Sequence, residues 1–290
     1  MSSVCVQGVD TGFVALGYGK VAGLGVLQGI TELMPISSTA HMRIVPALLG
    51  WRDPGSAFSA AMQLAALAAV ISYFWSDVRR LAGGSVAALA RGRWTDPSLR
   101  LVIWIGLATV PIVIVGVLLS KTLNTCGSPL RALQVVGWAC IGLAVLLGLA
   151  ELGARHLRRL ADVKFADALA VGVAQVGALI PGVSRSGSTL TAALALGFER
   201  EEAARFSFLL GIPAIALAGA KEVWELHKAG LSAHGWSVLA VGLVVASISA
   251  FGAIWGLMRI LERFSAWPFV VYRALLGVFL LWGISAGWLR

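Results

Sequence analysis

Read for its apolar and charged positions, the chain is a series of long uncharged runs separated by short basic linkers. Uncharged runs occupy 54–76, 101–120, 132–150 and 235–258. Residues 206–220 give a shorter run containing Pro213, and 266–289 is interrupted only by Arg273. A bilayer-spanning helix needs about 20 apolar residues, within a range of roughly 17–25. The pattern therefore predicts six spans. Two more apolar regions, 12–50 and 168–198, are each long enough for two short helices, and each is broken in its middle by Pro, Gly and hydroxyl residues. Such clusters end helices.

The two breaks repeat each other. Gly25-Val26-Leu27-Gln28 corresponds to Gly172-Val173-Ala174-Gln175, and Ile36-Ser37-Ser38-Thr39 to Val183-Ser184-Arg185-Ser186, under one shift of 147 positions. A weaker echo pairs Phe58-Ser59 with Phe206-Ser207. Paired helical segments interrupted at corresponding positions suggest two half-sites meeting near the bilayer midplane.

Charge sets the expected orientation. The linker 77–100 carries Arg79, Arg80, Arg91, Arg93 and Arg100, and the linker 151–167 carries Arg155, Arg158, Arg159 and Lys164. Two spans separate them, so they share a side, and the positive-inside rule makes that side cytoplasmic. If 168–198 is a re-entrant hairpin, Arg200, Arg205, Arg259 and Arg263 fall on the same side. A hairpin at 12–50 then enters from the outer face and its counterpart from the inner face. The expected fold is an all-α polytopic membrane protein. It has six transmembrane helices and two re-entrant helical hairpins, with 12–150 and 160–290 as inverted-topology repeats of a single domain.

Composition agrees. The 290 residues are 58% hydrophobic and 13% charged, against roughly 25% charged in soluble domains. The net charge of +9 fits cytoplasmic anchoring loops and an anionic ligand better than nucleic acid. No basic n-region precedes the first apolar stretch, so no removable signal peptide is expected. Cys5, Cys126 and Cys140 lack metal or redox spacing; a Cys5–Cys126 disulfide is a remote alternative. The eleven Trp residues read as interfacial belts rather than sugar platforms.

Polar groups inside such a chain are costly and mark working sites. A helix starting near 186 would aim backbone N–H groups at the second break, a geometry that binds phosphate. Arg185 adds a planar fork of donors, and Ser184, Ser186 and Thr189 can donate more bonds. Ser38 and His41, three apart, share a helix face; His41 could move the proton that a serine nucleophile needs. Gln28 and Glu32, one turn apart, offer oxygen ligands suited to Mg2+ or Ca2+ completed by water and substrate phosphate, or Glu32 pairs with Arg185. Arg43, Lys20 and Arg273 are weaker candidates for which structural pairing is expected. Gln63 is a candidate hydrogen-bond partner of the site.

These motifs resemble those of the undecaprenyl-diphosphate phosphatase family, also known for bacitracin resistance. The resemblance rests on Gln28 to Glu32, Pro35 to His41, Pro181 to Thr189 and the terminal Pro268-Phe269-Val270-Val271-Tyr272-Arg273. It implies the six-span, two-hairpin fold in a bacterial inner membrane, with the site open to the outer face. It implies hydrolysis of a C55 polyprenyl diphosphate to the monophosphate, recycling the carrier lipid for cell-wall synthesis. Glu32, Ser38, His41 and Arg185 match positions held to be catalytic; Ser37, Thr39, Ser184 and Thr189 match supporting ones. Gln28 stands where the family also has Glu, which weakens a two-carboxylate metal site, and Ala40 replaces the usual Gly before His41. The expected partners are the lipid substrate and membrane lipid, with no nucleic acid, and a homodimer left open.

One rival reading remains at this point, and a second is rejected. A polyprenyl-phosphate flippase would share the inverted repeat. The other membrane lipid phosphatase class would need a His near 191, where Thr191 stands, and no His follows until His227.

Overall fold

The structure, a computed structural model, describes residues 5–6, 9–119 and 129–289. Cys126, and with it the Cys5–Cys126 disulfide, lies outside the described residues. Apart from a two-residue antiparallel pair, Cys5–Val6 with Val9–Asp10, the described residues are built from helices. In chain order these are α1 (Gly17–Leu33), α2 (Ser38–Leu48), α3 (Ser56–Ala61), α4 (Gln63–Tyr73), α5 (Trp75–Ala90), α6 (Pro97–Leu118) and α7 (Leu133–Gly153). They continue as α8 (Phe165–Val176), α9 (Arg185–Ala195), α10 (Arg200–Lys228), α11 (Ala233–Arg263) and α12 (Trp267–Ser285).

Among the described residues, seven segments are long and apolar enough to cross a membrane. Six correspond to the expected spans. The seventh, Gly12–Leu33, is a 3-10 turn continued by α1, which the hydropathy pattern assigns to the first arm of a hairpin. Length and composition cannot separate a spanning helix from such an arm, because both must satisfy the same apolar surroundings.

Local chemistry explains where helices start. Asp96 caps α6 by accepting from the N–H groups of Ser98 (2.9 Å) and Leu99 (3.4 Å), and Pro97 occupies the first helical position, where its missing N–H costs nothing. Asp167 accepts from the N–H of Lys164 at 2.8 Å and opens α8. The same carboxylate takes both terminal nitrogens of Arg158, at 3.0 and 2.5 Å, and Arg158 also donates to the Leu196 carbonyl at 3.0 Å. One guanidinium thus ties the α7–α8 linker to both α8 and the end of α9.

The helices cross between the halves. α1 packs along α11, and α8 packs along α6. The glycines of the repeated Gly-Val-x-Gln make both contacts possible. A Cβ on Gly25 would lie 2.9 Å from the Gly242 carbonyl oxygen, and one on Gly172 would overlap that of Ala108. Close backbone approach through small residues is how helices associate where no hydrophobic effect drives them together. α12 packs on α7, and α4 on α10 and α11. The main core gathers Phe74, Phe198, Phe206 and Phe208 around α10; a second core stacks Phe13 on Phe58 at 5.1 Å. Val102, Ile103, Leu107, Val110 and Ile114 of α6 face outward, as a lipid-facing helix requires.

Gly172→Ala should lower stability by about 1–3 kcal/mol, because backbone rather than a flexible side chain blocks the added methyl. Gly106→Ala on α6, with nothing within 4 Å of the added atom, should not. Melting curves of the two variants in the same detergent check this.

Candidate active site

The repeated breaks fold into two matched tips. Ser37 and Ser184 both hold the left-handed backbone region, at φ 72° and 71°, a strained state for a residue with a Cβ. Each caps the following helix. The Ser37 hydroxyl oxygen accepts from the Ala40 N–H at 3.3 Å, and that of Ser184 from the Gly187 N–H at 3.2 Å. The capped helices α2 and α9 each run 11 residues, so their positive N-terminal ends lie at the tips.

Arg273, fully buried on α12, joins the tips. Its Nη1 donates to the Pro35 carbonyl at 3.0 Å; its Nη2 donates to the Gly182 (2.8 Å) and Val183 (3.0 Å) carbonyls. Ser186 adds a second link, with its hydroxyl 3.3 Å from the Glu32 carbonyl and 3.2 Å from that of Met34. Cys140 on α7 donates to the Gly182 carbonyl at 3.6 Å. Buried carbonyls outside a helix need such partners.

Across this junction the side chains meet. Glu32 Oε2 accepts from Ser38 Oγ at 2.6 Å and from Gln28 Nε2 at 3.0 Å. Glu32 Oε1 lies 3.8 Å from Arg185 Nη2, an ion pair too long for a hydrogen bond. All three guanidinium nitrogens of Arg185 are buried without a hydrogen-bond partner, as is Gln28 Oε1. Gly211 of α10 leaves the space Arg185 fills: a Cβ there would overlap Arg185 Nη1. An arginine with this many free donors beside a hydroxyl and a carboxylate is built to receive an anion.

His41 lies in the same tip but bonds elsewhere. Its Nδ1 is 2.7 Å from the Ser37 carbonyl, so Nδ1 carries the proton and Nε2 accepts from the Tyr272 hydroxyl at 2.6 Å. The rings are nearly parallel, at 4°. The expected Ser38–His41 pairing gives way to Ser38–Glu32, because the α2 turn directs His41 back onto the carbonyl of its own cap. Thr189 accepts from or donates to Ser207 and donates to the Arg185 carbonyl at 2.9 Å. It thereby braces the turn that carries Arg185. Ser184 and Ser186 hydroxyls are 3.2 Å apart.

Some candidates stay outside the cluster. Thr39 is exposed on the first turn of α2. Gln63, at the break between α3 and α4, is half-buried and makes no bond to the cluster among the described residues. Arg43 pairs with Asp53 at 3.5 Å, and Lys20 sits over Trp51 at 5.5 Å, so both are structural. Tyr272, Ser207 and Gly211 lie against these groups; the sequence named Tyr272 and Ser207 only within motifs, with no role, and did not single out Gly211. The Phe-Ser echo pointed at Ser207; its counterpart Ser59 instead bonds the Gly55 carbonyl of its own turn, at 3.3 Å. No group of three or more His, Cys, Asp or Glu residues that could hold a metal occurs among the described residues.

Comparison with known proteins places this geometry. The profile of the family described as bacitracin resistance protein BacA matches residues 21–279. The chain is similar to undecaprenyl-diphosphatase 2 of Mesorhizobium japonicum, with 75% identity over 263 residues, covering 91% of this chain and 100% of that protein. It is similar to an undecaprenyl-diphosphatase of Gloeobacter violaceus, 48% identical over 264 residues and 91% of each chain. Another, from Trichormus variabilis, is 46% identical over 268 residues, 92% of this chain and 84% of that one.

Two arginines predict opposite behaviour. Arg273→Gln strands carbonyls from both tips, each costing about 1–3 kcal/mol when buried unpaired, and should lower the melting temperature sharply. Arg185→Gln removes donors that have no hydrogen-bond acceptor and should lower it far less. Parallel thermal melts in detergent check the order.

Proposed function

The chain belongs to the bacitracin resistance protein BacA family, and from this premise we propose how its two tips dephosphorylate a polyprenyl diphosphate. The reaction is that of the family, hydrolysis of undecaprenyl diphosphate to the monophosphate and inorganic phosphate. The chain is a polytopic membrane phosphatase, and its substrate is a lipid. One observation carries the assignment of the site: three unpartnered, buried Arg185 nitrogens beside the Ser38–Glu32 hydrogen bond.

In this reading the terminal phosphoryl group takes the donors of Arg185, together with N–H groups at the tip. Charge grows on the phosphoryl oxygens in the transition state, and preorganised donors in a dry site stabilise it. Ser38 Oγ attacks phosphorus and passes its proton to Glu32 Oε2. The new O–P bond replaces the bond to the bridging oxygen, and the lipid monophosphate leaves. Glu32 gives that proton to the departing monophosphate. Water then attacks the phosphoserine and passes a proton to Glu32, which returns it to Ser38 Oγ as the Ser38–phosphorus bond breaks and inorganic phosphate leaves. His41, its Nε2 bonded to the Tyr272 hydroxyl, supplies a proton relay near the departing oxygen. Ser184, Ser186 and Thr189 hold the second tip in shape, and Ser37 holds the first.

Gln28 and Glu32 fit a divalent cation, Mg2+ or Ca2+, only in part. The orphaned Gln28 Oε1 and one carboxylate offer two oxygen ligands, so substrate phosphate oxygens would complete the shell. Such an ion would neutralise phosphate charge.

The tail also has a place. A groove of about 1020 Å³ runs between α7, α8 and α9, lined by Trp138, Leu143, Leu146 and Gly177, and reaches Val183 and Ser188 at the second tip. That volume is at the upper end for ligand sites, and its walls are apolar. The tips then lie at mid-bilayer on hairpins α1–α2 and α8–α9, entering from opposite faces as inverted repeats 12–150 and 160–290. The site opens to the outer face of the bacterial inner membrane. The matched Ser37 and Ser184 caps and the α1–α11 and α8–α6 packing support this arrangement.

Phosphate release from C55 diphosphate by the purified protein in detergent, with and without a chelator, tests the reading. Transport alone would release none. Arg185→Ala should lose about 10²–10³-fold in rate, the scale of an oxyanion donor. A trapped labelled phosphoenzyme should vanish in Ser38→Ala; a label that persists would replace serine attack with direct water attack. Gly142→Phe, which fills the groove from a position with nothing within 4 Å, should raise KM for the C55 substrate about tenfold. It should leave a short-chain diphosphate unaffected.

A further inference from the structure

The end of the bundle that carries the basic linkers holds a second cavity, of about 640 Å³, between α5, α6, the 159–164 linker and the start of α10. Five cations line it: Arg80, Arg100, Arg159, Lys164 and Arg205. Its two acids are already engaged. Asp162 accepts from the Arg159 N–H at 2.8 Å; Glu202 accepts from the Leu160 N–H at 2.7 Å and from Arg205 at 3.2 Å. Arg80 and Arg205 share the single carboxylate of Asp77, at 2.6 and 2.5 Å, and Arg159 pairs with Glu199 at 3.1 Å.

Arg100 and Lys164 are different. Neither has an ion pair among the described residues. Arg100 stacks over Trp104 at 4.8 Å from the ring centre. Lys164 feels Asp167 only at longer range, because that carboxylate is held by Arg158 through both oxygens. With Asp77 and Glu199 behind the wall, five cations face four carboxylates, and the cavity keeps a net positive charge.

We propose that this cavity binds the headgroup of an anionic phospholipid, with Arg100 and Lys164 on its phosphate. The argument for a lipid rather than a soluble anion is the wall. Leu101, Trp104 and Val163 line the same space. From there the outward apolar surface of α6, through Val102, Ile103 and Leu107, continues away from the basic end. A phosphate held at Arg100 would leave its acyl chains lying on that surface. Basic pockets between membrane helices select anionic headgroups by this combination of charge and apolar flank. The site is separate from the tips, and its test does not depend on the phosphatase reading.

The full chain in detergent is titrated with phosphatidylglycerol, phosphatidylcholine or glycerol phosphate, and bound ligand is read by native mass spectrometry. The expected result is preferential retention of phosphatidylglycerol. The double substitution R100Q and K164Q should weaken it about thirtyfold, from about 1 kcal/mol per cation at a membrane surface. R91Q with R93Q, which removes the same charge from an exposed turn outside the cavity, should change it little, and an unchanged melting temperature shows that both variants fold. Equal retention of phosphatidylcholine would overturn the proposal. So would equal losses in the two double variants, or glycerol phosphate binding as tightly as the lipid.

Discussion

Three backbone carbonyls from two separate tips converge on one guanidinium. Pro35, Gly182 and Val183 all accept from Arg273, and everything else at the site is referred to that junction. Each tip interrupts a run of helix in the protein interior, where a carbonyl left unpaired is costly. Arg273 satisfies both interruptions at once and fixes their separation. The planar fork matters here, since one side chain must reach opposite directions without bending. The register between Glu32 on the first tip and Arg185 on the second follows from this contact and from Ser186 beside it.

The second arginine has the reverse design. Arg185 is nearly as buried as Arg273, yet its donors are left without hydrogen bonds. Glu32 stands at 3.8 Å, close enough to balance the charge and too far to consume the donors. A fully bonded arginine would make a better core and a worse phosphate site. The residues around it are chosen for space and bracing: Gly211 leaves room, and Thr189 with Ser207 stiffens the turn. One arginine organises backbone, and the other keeps its donors free, as the proposed phosphate site requires.

The same economy of charge appears at the basic end. Three of the five cations lining the cavity there are matched to acids, with Asp77, Glu199 and Glu202 serving Arg80, Arg159 and Arg205. Arg100 and Lys164, on the same wall, have no ion pair among the described residues, whereas Arg185 at the tips has its charge balanced by Glu32 and only its hydrogen-bond donors free. In a chain with this little charge, a cation without a protein partner points to an anion from outside.

Much of this was legible along the chain. The uncharged runs fix the helices, and the broken Gly-Val-x-Gln and Ser-containing segments mark the tips. Glu32, Ser38 and Arg185 declare themselves because buried polar groups in an apolar chain are expensive. Hydropathy could not decide between a span and a hairpin arm for Gly12–Leu33, since both look alike to a length count. Nor could it assign Arg273, which has no partner nearby in sequence; its acceptors are carbonyls, and any residue type carries those. Spacing on α2 suggested that His41 serves Ser38. The packed structure hands Ser38 to Glu32 and His41 to Tyr272, because partner choice depends on distances across the fold. Residue chemistry was set by sequence; which groups meet, and which donors stay free, was set only when the two tips were brought together.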